Sequence, residues 1–323
     1  MTKQVQWGII GAGGIVERAT GAALNRSERA NLRAIATRGP DKVEFLKERY
    51  HPDTVYESYE ALLDDPEIDA VYIAVPNALH DAWALKALDA GKHVLCEKPL
   101  AIDEKRVVDM FAAAKRNNRL LMEGFAFMHS PIMDKVRDLI ASGAIGEVRY
   151  MDTHFYYMGH DESSPVVRRP TLGGSLFDLG CYNVVMAYLV YGEEPRHITG
   201  FGNFTYLNVD DFTSFLFEYN NGAKAHLVSF LGSPGRADGA RIFGTEKTLE
   251  IPLPFNYEGE GELILRDHAG GEEHVPVSAI DNYQLEFDNM NDAILDGAPL
   301  KVTEDFSVRQ ARTMDRMFRT MNY

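Results

Sequence analysis

A mostly apolar run from Val5 to Ile10 gives way to glycines, and then Ile15, Ala19 and Ala22–Ala23 recur at helical spacing. The alternation repeats over the next hundred or so residues. Strands are expected at NLRAIATR (31–38), IDAVYIAVP (68–76), HVLC (93–96) and LLMEGF (120–125). The near-continuous β-branched run of IDAVYIAVP suits a strand buried on both faces of a parallel sheet. Helices are expected at PDKVEFLKERY (40–50), at ALHDAWALKALDAGKH (78–93) closed by Gly91, and at DEKRVVDMFAAAKRNN (103–118). In the last of these Asp103 is the N-cap, and Val107, Phe111 and Ala114 fall on one stripe. Strands alternating with helices predict an α/β fold, a doubly wound parallel sheet over residues 1–125.

The pattern changes after about residue 147. SPIMDKVRDLIASGAIG (130–146) reads as a helix that buries Ile132, Val136, Leu139 and Ile140. Strand-like, turn-separated segments follow at 147–157, 197–207, 210–220, 223–232, 248–254 and 261–267, and Asn221-Gly222 is a strong hairpin signal. One helix interrupts them around 175–191. Runs of strands with few helices predict an α+β domain with an open, mostly antiparallel sheet, residues 126–303. The tail is amphipathic, with Met314, Met317 and Met321 at helical spacing, and 304–323 is expected to be a C-terminal helix that packs back on the body.

A length of 323 residues fits two domains of this kind, and 45% hydrophobic with 25% charged residues is ordinary globular composition. The formal net charge of −15 argues against nucleic acid as a partner. Cys96 and Cys181 are too few for a disulfide framework and have no metal-ligand spacing, so no metal site is expected. No apolar stretch approaches the ~18 residues a membrane span needs. With no signal-peptide pattern at the start, a cytoplasmic protein is expected.

The candidate chemistry lies where strands end. GAGGIV (11–16) joins the first strand to the first helix: Gly11 allows the tight turn, Gly13 lets backbone approach a diphosphate, and Gly14 and Ile15 open the helix whose N–H groups face that anion. Val16 stands at the third small position, an imperfect fingerprint. The second strand ends in Thr37 and Arg38 instead of an acidic residue. A hydroxyl and a guanidinium suit a 2′-phosphate, so NADP is favoured, while nearby Asp41 leaves NAD admissible. Pro76, Asn77 and His80 (in AVPNALH), with Glu97 and Lys98 (in CEKP), lie at further strand ends, where ligands of such sheets gather. An amine beside a nicotinamide can polarise or protonate a substrate oxygen. In GGSLFDLGCY (173–182), Asp178 and Tyr182 share a helix face, a carboxylate and a phenol able to bind a polyol and relay a proton. His154 and His160 lead into that glycine pair and could line a substrate pocket.

GAGGIV, CEKP and GGSLFDLGCY, in this order, resemble the Gfo/Idh/MocA oxidoreductases, closest to the branch of glucose–fructose oxidoreductase, dimeric dihydrodiol dehydrogenases, NADP-dependent xylose dehydrogenases and nucleotide-sugar ketoreductases. GAIGEV (143–148) and IFGTEKTLEIPLPF (242–255) extend the resemblance over essentially the whole chain. It implies a Rossmann domain followed by an open-sheet domain that often forms the interface of a dimer or tetramer. It implies a catalytic Lys98 with a cis bond before Pro99, and a substrate site completed by Asp178 and Tyr182. Arg168 or Arg169 stands where the family often has an Arg before the glycine pair. Met128 and Ser130 replace an Arg and a His common in the family. The expected activity is NADP-dependent hydride transfer at a hydroxyl or carbonyl carbon of a small-molecule sugar, ketose, polyol, cyclitol or dihydrodiol. Tyr182 is the general acid/base, supported by Lys98, with Asp178 orienting substrate. The alternatives are a nucleotide-sugar ketoreductase and a non-catalytic dinucleotide sensor of the same fold.

Overall fold

The computed structural model describes residues 3–159, 164–255 and 257–322, without the side chains of Pro165 and Arg169. It comprises two compact units: residues 1–128 with 281–308, and 129–280 with 309–323. No helix among the described residues is long and apolar enough to cross a membrane.

The first unit begins as β1 (Val5–Ile10), α1 (Gly21–Arg26), β2 (Ala30–Ala36), α2 (Val43–Tyr50), β3 (Thr54–Tyr56), α3 (Tyr59–Leu63), β4 (Ala70–Ile73), α4 (His80–Asp89), β5 (His93–Glu97), α5 (Glu104–Arg116) and β6 (Leu121–Gly124). The six strands are all parallel in the order β3-β2-β1-β4-β5-β6, so the direction of winding reverses between β1 and β4. That reversal opens a crevice outside the strands' carboxyl ends. Every residue of β4 is buried, as its unbroken apolar run requires. Asp103 caps α5 by accepting from the Arg106 N–H, as expected. β3 and α3, at three and five residues, are too short to leave a periodic signal.

The second unit contains α6 (Pro131–Ala141), β7 (Val148–Met158), a π-type turn (Leu176–Gly180) leading into α7 (Cys181–Tyr191), then β8 (His197–Phe204), β9 (Asp210–Glu218), β10 (Lys224–Phe230), β11 (Gly232–Gly244), β12 (Lys247–Ile251), β13 (Gly259–Asp267) and β14 (Glu272–Ala279). Its eight strands run β14-β13-β12-β11-β7-β10-β9-β8 and pair antiparallel except for β10 with β7. α7 is buried along Cys181–Ala187 and packs on β7 and β10. β11 escapes sequence reading, because GSPGRADGARIFG has poor strand propensity. Two of its glycines sit where a side chain would collide: a Cβ on Gly239 would meet the His154 ring and one on Gly244 the Ile145 carbonyl oxygen.

The chain then returns to the first unit as α8 (Asn282–Asp296), another element the apolar pattern did not announce. α8 packs on α1, β1 and β2. Trp7 donates its indole N–H to Asn291 at 2.8 Å and meets Phe287 edge-on. α9 (Glu304–Thr320) closes the chain.

Candidate functional site

In the first unit the chain leaves β1 through Gly11 at φ +97°, a conformation other residues avoid. A Cβ there would lie 2.6 Å from the Ala74 carbonyl oxygen, and one on Gly13 would lie 3.4 Å from the same atom. Val16 and Glu17 donate back to the Gly13 carbonyl at 3.0 and 3.3 Å. A π-type turn, Val16–Thr20, then runs into α1. The first N–H groups of a helix have no partner within it. From the start of α2, Lys42 holds this turn by donating to the Ala12 carbonyl (2.9 Å) and the Glu17 carboxylate (2.6 Å). At the end of β2, Thr37 is buried and its hydroxyl accepts from the Gly39 N–H at 3.1 Å. Arg38 is exposed, its guanidinium 5.3 Å from the Tyr59 ring centre. A backbone cradle that a Cβ would fill, a helix start and a stacked guanidinium fit a dinucleotide carrying a 2′-phosphate.

The ends of β4 and β5 carry the next group. Tyr72 donates its hydroxyl to Glu97 Oε1 at 2.6 Å, and Glu97 Oε2 accepts from the Lys98 N–H at 3.3 Å. The Lys98–Pro99 bond is cis. One residue on, the Leu100 N–H donates to Glu123 Oε1 at 3.0 Å, and burial pushes the Glu123 carboxyl up to about 7. Pro76 and Asn77 begin the short turn that leads to α4. His80 is buried and applies both ring nitrogens to backbone carbonyls. Glu286 of α8 is fully buried, its pKa far above the carboxylate range through burial and then the nearby Glu97. So the first unit gathers Gly11, Gly13, Gly14, Ile15, Thr37, Arg38, Pro76, Asn77, His80, Glu97 and Lys98 along one edge of its sheet.

In the second unit, Gly174 takes φ +125°, and a Cβ there would collide with Asp210 Oδ1, so both the backbone and the space require glycine. The other oxygen of Asp210, at the start of β9, accepts from the Ser175 hydroxyl and the Leu176 N–H, each at 2.7 Å. Burial pushes this carboxyl up to about 6. The helix it pins carries Asp178, partly exposed, and Tyr182, nearly buried. The Tyr182 ring centre lies 5.3 Å from each of Phe155 and Phe255. Arg236 stacks over Phe155 at 5.1 Å and is fixed by the buried Asp238 at 2.7 Å. Arg168 is exposed, while the Arg169 side chain and all of His160 lie outside the described residues.

One expectation is corrected. Side chains alternate along β7, so if Phe155 faces Tyr182, His154 points to the opposite face, where it stacks on Tyr156 at 4.8 Å. Among the described residues no group of three or more His, Cys, Asp or Glu could hold a metal. Sequence reading also passed over Lys42, Tyr59, Asp210 and Arg236. Lys42 left a signal, a base in the first turn after Arg38. Asp210 left none, because only the fold brings it to Ser175.

Residues 5–125 match the oxidoreductase family with an NAD-binding Rossmann fold, and residues 133–250 match the GFO/IDH/MocA C-terminal domain. The chain belongs to the Gfo/Idh/MocA family of oxidoreductases. It is similar to D-xylose 1-dehydrogenase (NADP(+)) 2 of Haloferax volcanii, 31% identical over 316 residues that cover 97% of this chain and 96% of the relative. It is also similar to trans-1,2-dihydrobenzene-1,2-diol dehydrogenase of Xenopus tropicalis, 32% identical over 253 residues, 76% of this chain and 75% of the other. Among solved structures, KijD10, a 3-ketoreductase from Actinomadura kijaniata in complex with NADP and TDP-benzene, matches with a TM-score of 0.92 at 28% identity, covering 97% and 96% of the two chains.

Proposed function

We propose that the chain is an NADP-preferring dehydrogenase or reductase that acts on a hydroxyl or carbonyl carbon of a sugar, cyclitol or dihydrodiol. The observation that carries this reading is Lys98, its N–H held by Glu97 at the carboxyl end of β5, in a parallel sheet whose first turn leaves backbone room for a diphosphate. Bound NADP supplies the hydride-carrying nicotinamide. Gly11, Gly13, Gly14 and Ile15 take the diphosphate, and Thr37 and Arg38 take the 2′-phosphate. Pro76, Asn77 and His80 line or brace the nicotinamide end. Tyr182 exchanges the proton of the reacting oxygen, Lys98 supports it with its charge, and Asp178, with Arg168 or Arg169, orients the substrate. A nucleotide-sugar ketoreductase is the second reading, favoured by the likeness to KijD10 over nearly the whole chain.

The test follows nicotinamide absorbance with a panel of polyols, aldoses, ketoses, dihydrodiols and a dTDP-keto sugar. Turnover on a member of the panel is expected, and Lys98→Ala should lower it by about 100-fold or more while NADPH affinity stays within several-fold. NADPH binding without turnover on any member would instead support a sensor.

The chain is further proposed to be a cytoplasmic homo-oligomer; both cysteines are free and buried. Its large sheet packs one face on α7 and turns outward a row in which Phe201, Phe212, Phe230 and Tyr156 neighbour one another, with ring centres 5.9–6.3 Å apart. Phe201 and Leu216 are 61% and 41% exposed, an apolar face suited to a second copy. Light scattering should report a dimer or tetramer that Phe201→Lys with Leu216→Lys weakens.

A further inference from the structure

His80 is 1% exposed and sits between two backbone carbonyls. Its Nδ1 lies 2.8 Å from the Pro99 oxygen and its Nε2 lies 2.8 Å from the Val75 oxygen. Both partners are acceptors only. A neutral imidazole carries one N–H and one bare nitrogen, so it can satisfy one of them. Either tautomer leaves a nitrogen lone pair facing an oxygen lone pair at a distance proper to an N–H···O bond, too short for an intervening water. Only the ring protonated on both nitrogens donates to both.

We propose that His80 is a positioning residue that, protonated on both ring nitrogens, ties the loop after β4 to the loop after β5. One loop carries Asn77 and the other carries Lys98, next to the clamped Pro99. The functional half rests on the reading of Lys98 given above; the protonation half does not. The groups acting on the ring oppose one another. Burial outweighs the rest and holds its pKa below the usual imidazole value; the two carbonyls push it back up, the Lys98 charge lowers it and Asp81 raises it. Asp81 lies in the first turn of α4 and is itself paired with Arg106 of α5, which also reaches Asp103. The start of α4 adds the unfavourable positive end of a helix. Because the charged form makes both ties, the clamp is complete on the acid side of the His80 titration, and one tie is lost as pH rises through it.

The test is nuclear magnetic resonance of the full-length protein labelled with 15N-histidine, with His80→Gln to assign the ring. At pH below the ordinary imidazole value His80 should show two N–H signals protected from water, one of which disappears as pH rises. A single N–H at every pH at which the protein stays folded would overturn the proposal, and this reading needs neither a substrate nor a folded variant. Turnover supplies the second readout. In the wild type it should fall roughly tenfold across the same titration, as a slightly displaced reacting group would predict. His80→Gln, which offers one donor and one acceptor, should be slow throughout and lack that limb. Persistence of the limb in the variant would remove His80 from control of Lys98. Absence of turnover in every protein, with both N–H signals present, would count against the proposed activity and leave the clamp standing.

Discussion

After Gly11–Gly13 and again after Gly173–Gly174 the chain does the same thing. A glycine turn with one positive φ passes into a π-type turn, Val16–Thr20 or Leu176–Gly180, and then into an α-helix. The two helix starts differ in what meets their donors. In the first unit the crowding comes from the Ala74 carbonyl, and the partner proposed for the donors is an anion brought from solution. In the second unit the chain brings its own anion, Asp210, which takes the Ser175 hydroxyl and the Leu176 N–H. Glycine at the head of a helix therefore has two meanings. One reserves space for a ligand, and the other reserves space for a carboxylate that fixes a helix bearing functional side chains. Sequence alone does not separate them, since both read as glycines before a helix.

The strongest way to break this contrast is to remove the internal anion. Asp210→Ala would leave a buried hydroxyl and a buried N–H without their acceptor and should destabilise the protein by about 3 kcal/mol. Calorimetry checks the loss, and NADPH affinity should remain within several-fold, because Asp210 lies outside the unit that holds the cradle. Asp210→Asn keeps an acceptor oxygen, so its loss should stay under about 1 kcal/mol. It should also change the pH profile. Asp210 titrates at about 6 in the fold, above the ~3.9 of an unfolded Asp, so its contribution to stability is full below the unfolded value and fades as pH rises through about 6. Melting curves of Asp210→Asn should be flatter than wild type between pH ~4 and ~6. An unchanged slope would mean that the carboxyl is not strained by burial.

The complementary change adds a methyl to the open turn. Gly11→Ala places a Cβ 2.6 Å from a backbone oxygen at φ +97°, a strain of roughly 1–3 kcal/mol that the cradle must absorb by shifting. NADPH affinity measured by titration should fall about 30-fold, in line with about 2 kcal/mol. If affinity holds while stability drops as far as in Asp210→Ala, the first turn is structural in the same sense as the second, and the contrast fails.

How much of this was legible follows from where the determinants lie in sequence. The strands β1, β2, β4, β5 and β6 and the helices α1, α2, α4 and α5 announce themselves through their apolar pattern, and each motif sits within a few residues of its strand end. CEKP and GGSLFDLGCY could be read as chemistry for the same reason. What escaped was non-local. β11 is a strand because β7 and β12 flank it and pair with it, not because its residues favour extension. α8 joins the first unit from about 280 residues along the chain through Trp7 and Phe287. Asp210 acts through partners far away in sequence, and Glu286 is buried only because α8 returns to the first unit. His154 was misplaced by sequence proximity to the glycine pair, which ignores the two-residue period of a strand.

A finer test divides the first turn's ligand into its parts. Arg38 is held over Tyr59 at the end of β2, close enough to Glu60 of α3 for its charge to act on that carboxyl. Its contacts with a 2′-phosphate would be charge-assisted and specific to NADP, whereas the diphosphate is common to both cofactors. Arg38→Ala should therefore weaken NADPH by about tenfold, near the lower range for a bond to a charged group, and NADH by no more than about twofold. Tyr59→Leu removes the ring beneath the guanidinium and should cost NADPH less, about threefold, since an exposed cation–π contact contributes roughly 0.5–1 kcal/mol. An equal loss of both cofactors in Arg38→Ala would show that the arginine serves the cradle as a whole. The helix start would then bind its anion without regard to the ribose, and the cofactor preference would have to come from another cation at that turn, Lys42, Arg18 or Arg49.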